Sequence, residues 1–156
     1  MPEAPIGKSW RFTVIEGSKR DEMVRVMRAG LDARKASGEE TGSARWTANC
    51  MAEAPVTVFV HNPEGIHPWL PREPNPSWME LADVQPIGAA IENMLLAAQA
   101  LGIGSLWIAD VWYAYRELNA WLGTEDQMVA AVSFGYPDEN PAPRPRKPLS
   151  EIVRYL

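Results

Sequence analysis

The sequence predicts an α+β domain in which a sheet is flanked by helices. Strand-like and helix-like segments follow one another in the order β, α, α, β, long loop, α, β, α, β and an extended tail. This order does not alternate regularly enough for a doubly wound parallel sheet. A length of 156 residues and a hydrophobic share of 46% fit one domain, which we expect to span residues 1–156.

The N-terminal half contains two strand-like runs and two helix-like segments. The strands are predicted on runs of bulky and β-branched residues, and the helices on apolar stripes at helical spacing. Ser18, followed by Asp21 and Glu22, resembles a capping box that begins the first helix. The predicted elements are a strand over 10–15, a helix from 18 to about 36, a helix over 44–52 and a strand over 55–60.

Residues 61–80 contain five prolines and two tryptophans, a composition that excludes a helix or a central strand. Loops of about 20 residues within a compact domain are usually functional or disordered, and the two tryptophans argue against pure disorder. We therefore expect residues 63–78 to border a ligand site. Trp69, Trp78 and Trp112 are candidates to stack on a planar ligand, although aromatic residues beside Pro-rich loops more often pin the loop.

Residues 83–101 form the most strongly patterned segment, because apolar residues recur at helical spacing and alanines fill most other faces. The pattern predicts a helix buried nearly all round, with Pro86 in its first turn and Gly102 at its C-terminal end. A second subunit would cover what the sheet cannot, so we expect a homodimer that residues 149–156 help to join. The remaining predicted elements are a strand over 105–108, a helix over 113–122 and a strand over 128–134.

Composition excludes several functional classes. Fifteen Lys and Arg against twenty Asp and Glu give a net charge of -5, which argues against nucleic-acid binding. The chain lacks an apolar run of roughly 20 residues and a signal-peptide core, so we expect a cytoplasmic protein outside the membrane. Cys50, His61 and His67 do not have the spacing of a compact metal motif, and no metal site is predicted.

Four stretches of the sequence resemble the FMN-dependent nitroreductase family. They are APIGKSWRF at 4–12, the central helix through LGIG at 83–104, residues 118–137 ending in Gly-Tyr-Pro, and RKPL at 146–149. The resemblance implies a mixed, largely antiparallel sheet with the long apolar helix at a dimer interface. Family members carry a further N-terminal region with arginines for the flavin, so this chain looks like a truncated member or a fragment. Weak FMN binding, or loss of FMN on purification, would follow.

The resemblance also implies where FMN would bind, and the flavin itself would supply the redox chemistry, so no catalytic side chain is implied. A backbone N–H after the third strand would face the flavin ring, the tail cations would meet its phosphate, and an N-terminal loop would touch it, commonly from the opposite subunit. The implied cofactor-binding residues are Lys8, Ser9, Ala109, Asp110, Arg144, Arg146 and Lys147.

Simpler interpretations of the same residues stay open at this point. Asp110 is a preferred residue for capping the helix that contains Tyr113. The basic tail is also typical of a solvated charge run. Residues 6–9 are also typical of a frayed N terminus.

The leading hypothesis from the resemblance is an FMN-dependent oxidoreductase that takes hydride from NAD(P)H and reduces a nitroaromatic, a quinone or a similar planar acceptor. One alternative is a dimeric domain of the same fold without flavin or enzymatic activity. Another is a carrier of flavin or of a small molecule without turnover.

Overall fold

The structure is a computed structural model that describes residues 10–65, 68, 78–140 and 142–156. The fold is α+β, as predicted, with one antiparallel sheet flanked by helices. Five residues between β3 and α4, Asp110–Ala114, form a 3-10 helix. The other elements are β1 Arg11–Glu16, α1 Lys19–Ala36, α2 Ala44–Glu53, β2 Val56–Asn62, α3 Trp78–Ala100, β3 Gly104–Ile108, α4 Tyr115–Leu122, β4 Gln127–Gly135 and α5 Leu149–Ile152.

The four strands lie in the order β1, β2, β4, β3, and each neighbouring pair is antiparallel. Val14 pairs with Val58 between β1 and β2, and Ile108 pairs with Ala131 between β3 and β4. Within the described residues, β1 and β3 are therefore the edge strands. Ala109 and Asp110 follow β3 directly, so they lie at one end of an open sheet edge.

Each face of the sheet has its own apolar core, because successive strand side chains point to opposite faces. Phe59 packs in the larger core, beneath α1, α2 and α4, whereas the adjacent Val60 packs in the smaller core, beneath α3. The larger core includes Met23, Met27, Leu31, Met51, Ile108, Val111 and Leu118, and the smaller core includes Ile87, Ile91, Ala130 and Val132.

Helix α3 differs from its prediction at its N-terminal end. It begins at Trp78, which places Pro86 inside the helix instead of in its first turn. Residues 79–82 (MELA) are good helix formers, and they extend the helix before the proline. Only one face of α3 is covered by the sheet in the single chain: Ile87 and Ile91 are buried, whereas Leu96 is 58% exposed.

The predicted loop over 61–80 is too long at both ends, since β2 runs to Asn62 and α3 starts at Trp78. The β-ladder to β4 continues through His61 and Asn62 despite the prolines that follow. Most of the segment 63–78, which we expected to border the ligand site, lies outside the described residues.

The C-terminal end of α3 has the capping geometry that the sequence predicts, whereas the N-terminal end of α1 does not. Gly102 has a φ of +71°, and the Ile103 N–H bonds the Ala98 carbonyl at 2.9 Å, which confirms the predicted left-handed ending of α3. The capping box at Ser18 is wrong. Ser18 makes no side-chain cap, and Glu22 instead accepts a hydrogen bond from Lys19 Nζ at 2.7 Å.

None of the helices in the described part of the chain is long and apolar enough to cross a membrane.

Candidate functional site

A cleft of about 480 Å³ opens beside the end of β3. Its walls come from the start of α2, from β3 and the residues after it, and from the C-terminal tail. Trp46 and Trp107 are large aromatic side chains in this wall, and they are 58% and 44% exposed. The remaining lining residues are Ser43, Thr47, Leu106, Ile108, Ala109, Asp110 and Arg144. We call this space the β3 cleft.

The Asp110 carboxylate joins the end of β3 to α2. Its Oδ2 atom accepts a hydrogen bond from Thr47 Oγ1 at 2.6 Å and a second from Ser43 Oγ at 3.2 Å. The N-cap of the 3-10 helix is Ala109, and no side chain caps it. Helix capping by Asp110 is therefore the wrong interpretation, because its carboxylate is turned toward the hydroxyl groups of a different helix.

A second cleft of about 430 Å³ lies on the other side of Ala109 and Asp110, which line both clefts. Its other lining residues are Arg34, Trp112, Tyr113 and Val129. The Trp112 indole N–H donates to the Val129 carbonyl at 3.1 Å, beyond the point where β3 stops pairing with β4. Trp112 thus covers part of an open strand edge while its ring remains 45% exposed. Trp69 and the Trp78 side chain lie outside what the structure describes.

Arg34 holds the far end of the same 3-10 helix. Its Nε atom donates to the Tyr113 carbonyl at 3.0 Å, and its Nη1 atom donates to Glu39 Oε2 at 2.7 Å. The hydrogen bond from Arg34 Nη1 holds the pKa of the Glu39 carboxyl below its usual value. The short helix after β3 is therefore fixed by α1 at one end and by α2 at the other.

The structure brings together three of the seven residues expected at the cofactor. Arg144 lines the β3 cleft with Ala109 and Asp110. Arg146 lies next to it on the tail and donates from Nη1 to the Arg144 carbonyl at 3.1 Å, and Lys147 follows as an exposed residue. Lys8 and Ser9 lie outside the described residues.

Sequence reasoning missed Ser43 and Thr47. The two residues are four positions apart at the start of α2, a spacing that places them on one face of a helix. This spacing was the sequence signal that the two hydroxyl groups could act together. The sequence did not identify Asp110 as their acceptor, because Asp110 lies 63 positions beyond Thr47.

Cys50 and His61 lie away from the β3 cleft. Burial raises the pKa of the Cys50 thiol, and burial lowers the pKa of the His61 imidazole. Among the described residues, no group of three or more His, Cys, Asp or Glu side chains lies close enough to hold a metal ion.

The donor set of the β3 cleft suits a planar ligand with an anionic end. Exposed indoles offer aromatic surface, and the first N–H groups of the 3-10 helix have no acceptor within that helix. The Arg144 guanidinium supplies a charged, forked donor of the kind that binds phosphate. The Asp110 carboxylate accepts hydrogen bonds from the hydroxyl groups of Ser43 and Thr47.

Fold and cleft together describe an α+β domain with a cleft at the end of an edge strand. The sequence profile of the Nitroreductase family matches residues 3–136. The chain belongs to the nitroreductase family.

Two curated relatives match parts of the chain. A protein of Archaeoglobus fulgidus named "Putative NADH dehydrogenase/NAD(P)H nitroreductase" is 40% identical over 79 residues, covering 46% of this chain and 41% of that protein. The NADPH-flavin oxidoreductase of Vibrio harveyi is 29% identical over 68 residues, covering 42% of this chain and 28% of that protein. The matched segments thus span less than half the length of these relatives.

Solved structures match over nearly the whole chain. A nitroreductase from Desulfovibrio desulfuricans, described as putative and solved in complex with FMN, superposes with a TM-score of 0.65 at 25% identity. The match covers 93% of this chain and 70% of that one.

Proposed function

We propose that the chain acts as an FMN-dependent NAD(P)H oxidoreductase that reduces nitroaromatic compounds, quinones or similar planar acceptors. The observation that carries the proposal is the β3 cleft, in which Ala109, Asp110, Trp107 and Arg144 line one space. Membership of the nitroreductase family and the names of the matched relatives support the same assignment.

The tail and the 3-10 helix would hold the cofactor. Arg144 would bind the FMN phosphate, with Arg146 and Lys147 adding positive charge from the same exposed segment. The backbone N–H groups at Ala109 and Asp110 would donate to the ring. We keep Lys8 and Ser9 as proposed flavin contacts from the N-terminal segment.

When bound, FMN would accept hydride from NAD(P)H and pass electrons to the acceptor. The chain would orient the ring and exclude water from one face through the indoles of Trp46 and Trp107.

We propose that two copies of the chain form the working unit. Phe12 pairs with Val60, so it lies on the face of the sheet that α3 covers, and it remains 41% exposed. Leu96 on α3 is exposed as well, and the tail ends in exposed apolar residues such as Ile152 and Leu156. A second copy would cover this apolar surface. A cytoplasmic location stays a prediction from the sequence.

One purification distinguishes the proposed oxidoreductase from the alternatives. The chain is incubated with FMN, passed through gel filtration and examined by absorption spectroscopy, then mixed anaerobically with NADH or NADPH. A flavin band that survives and bleaches with either nucleotide, and then returns on addition of a quinone or a nitroaromatic compound, is the expected result. A colourless protein would indicate a flavin-free domain, and a flavin band that neither nucleotide bleaches would indicate a carrier.

A further inference from the structure

Ala109 and Asp110 form a wall between two clefts. One side of the wall faces the β3 cleft, of about 480 Å³, and the other faces the second cleft, of about 430 Å³. The segment is flanked by two buried side chains, Ile108 and Val111, whereas Ala109 is exposed and Asp110 is half-buried. Hydrogen bonds from neighbouring elements therefore add the positional restraint that packing does not give at these two residues.

The fixing contact at the start of the wall is the Thr47–Asp110 hydrogen bond. Thr47 is only 4% exposed, and its hydroxyl donates to Asp110 Oδ2 at 2.6 Å. A short hydrogen bond to a carboxylate is about twice as strong as one between neutral groups, and it is directional. Ser43 adds a second donor from the same helix at 3.2 Å.

We propose that Asp110 is a positioning residue of the flavin site, and that it acts through Thr47. Its carboxylate fixes the backbone at Ala109 and Asp110, and this backbone presents the N–H donors that would meet the flavin ring. This inference rests on the proposed function, because that function places a flavin in the β3 cleft. Thr47, a residue of α2, would then affect cofactor affinity indirectly, through the position of Asp110.

Three variants separate the effect of the Thr47–Asp110 hydrogen bond from the effect of the Asp110 charge. Thr47→Val removes the donor and keeps the side-chain volume, and Thr47→Ser restores the hydroxyl. Asp110→Asn removes the charge but keeps an oxygen that can accept from Thr47. Thr57→Val is the matched control, because Thr57 is a threonine 1% exposed whose hydroxyl lies 2.8 Å from Ser133 Oγ, and neither residue lines the β3 cleft.

The first measurement uses the flavin-free chain. Hydrogen exchange of the Trp112 amide, which donates to the Ala109 carbonyl at 3.0 Å, is followed by NMR in the wild type and in each variant. Thr47→Val is expected to speed exchange at this amide, whereas Thr47→Ser and Thr57→Val keep the wild-type rate there. Unchanged exchange in Thr47→Val would overturn the proposal without involving any cofactor.

The second measurement titrates FMN by fluorescence quenching and records the midpoint potential of the bound flavin. Thr47→Val is expected to raise the dissociation constant by up to about tenfold, because FMN must then order a segment that the wild type already holds in place. Thr47→Ser should restore the affinity, and Thr57→Val should leave it unchanged even where it lowers the melting temperature. Asp110→Asn keeps a weaker, neutral acceptor for Thr47, so it should lower the affinity less than Thr47→Val does, and it should raise the potential, since reduced flavin is favoured when a nearby negative charge is removed.

The possible failures are distinguishable. A wild-type chain that binds no FMN would overturn the proposed function and this role of Asp110 with it. Wild-type binding that Thr47→Val and Thr57→Val leave equally intact would overturn the positioning role alone.

Discussion

Gly30 of α1 lies directly against Ala114 at the end of the 3-10 helix. A Cβ atom added at Gly30 would lie 2.5 Å from the Ala114 Cβ and 2.8 Å from its Cα. Since the second of these atoms belongs to the backbone, a rotamer change cannot relieve the overlap. The close approach of the two helices therefore requires glycine at position 30.

We predict that Gly30→Ala lowers the free energy of unfolding by roughly 1–3 kcal/mol, the usual cost of overpacking a core. The higher helix propensity of alanine offsets at most about 1 kcal/mol of this. Gly88→Ala in α3 is the matched control, because the nearest atom to its added Cβ would be 4.0 Å away, and we expect it to be neutral or stabilising. Urea unfolding at one fixed protein concentration measures both, and a Gly30→Ala protein as stable as wild type would contradict the packing described.

Sequence reasoning succeeds here for strands and for the end of α3, although the equally local capping box at Ser18 is wrong. The strand over 128–134 lies within β4, and the left-handed ending at Gly102 is present. These features depend on residues within one turn or one strand of each other. The start of α3 was missed because prolines dominated the composition of a segment whose last residues are helix formers.

The candidate site was predicted only in part, for a physical reason. Ala109, Asp110 and Arg144, which the family resemblance implied at the flavin, line the β3 cleft together, and their contact with a flavin stays a prediction. The resemblance gave no role to the Asp110 side chain, whose partners belong to a helix far away in the sequence. A carboxylate that could cap its own helix instead binds Thr47, and only the packing of α2 against the 3-10 helix decides between the two.

Helix α3 has two faces that should respond differently to substitution. Ile91 is fully buried against the sheet, so Ile91→Ala should lower the free energy of unfolding by about 2–5 kcal/mol. Leu96 is exposed in the single chain, so Leu96→Asp should preserve the fold yet dissociate the proposed dimer. Light scattering and circular dichroism measure association and folding separately. Full retention of the dimer by Leu96→Asp would show that this face of α3 is not the interface.

Stability should fall on mild acidification because of His61. Burial is the main cause that lowers the pKa of His61 below its ordinary 6.5, although Asn119 and Asp126 act in the opposite direction. The unfolded chain binds a proton at His61 near pH 6.5, whereas the folded chain resists it. The stabilisation is therefore complete above pH 6.5 and declines as the pH falls toward the lower pKa of the folded state.

His61→Gln, which cannot titrate in this range, should flatten the decline of stability just below pH 6.5. Below about pH 4.5 both proteins should lose stability alike, because Lys19 and Arg34 lower the pKa values of Glu22 and Glu39 in the folded state. Urea midpoints measured at half-unit pH intervals test this. An identical slope in the two proteins between pH 6.5 and pH 5 would exclude His61 as the cause.

The tail cations should matter for the phosphate of FMN and not for its ring. Arg144→Ala removes the guanidinium that lines the β3 cleft, and Arg146→Ala removes the neighbouring one, which donates to the Arg144 carbonyl. A charge-assisted hydrogen bond contributes about 1.5–3 kcal/mol, so each variant should weaken FMN binding by roughly 10-fold to 150-fold. Riboflavin has the same ring without the phosphate, so its affinity should be the same in wild type and in both variants.

Lys35→Ala is the control for this last prediction, because Lys35 lies in the last turn of α1 and does not line the β3 cleft. Fluorescence titrations at low and high salt would add a second readout. Salt should weaken FMN binding to the wild type more than to a variant that carries both Arg144→Ala and Arg146→Ala, since screening acts on the charges that this variant lacks. Equal FMN affinity in wild type and Arg144→Ala would place the phosphate elsewhere on the protein.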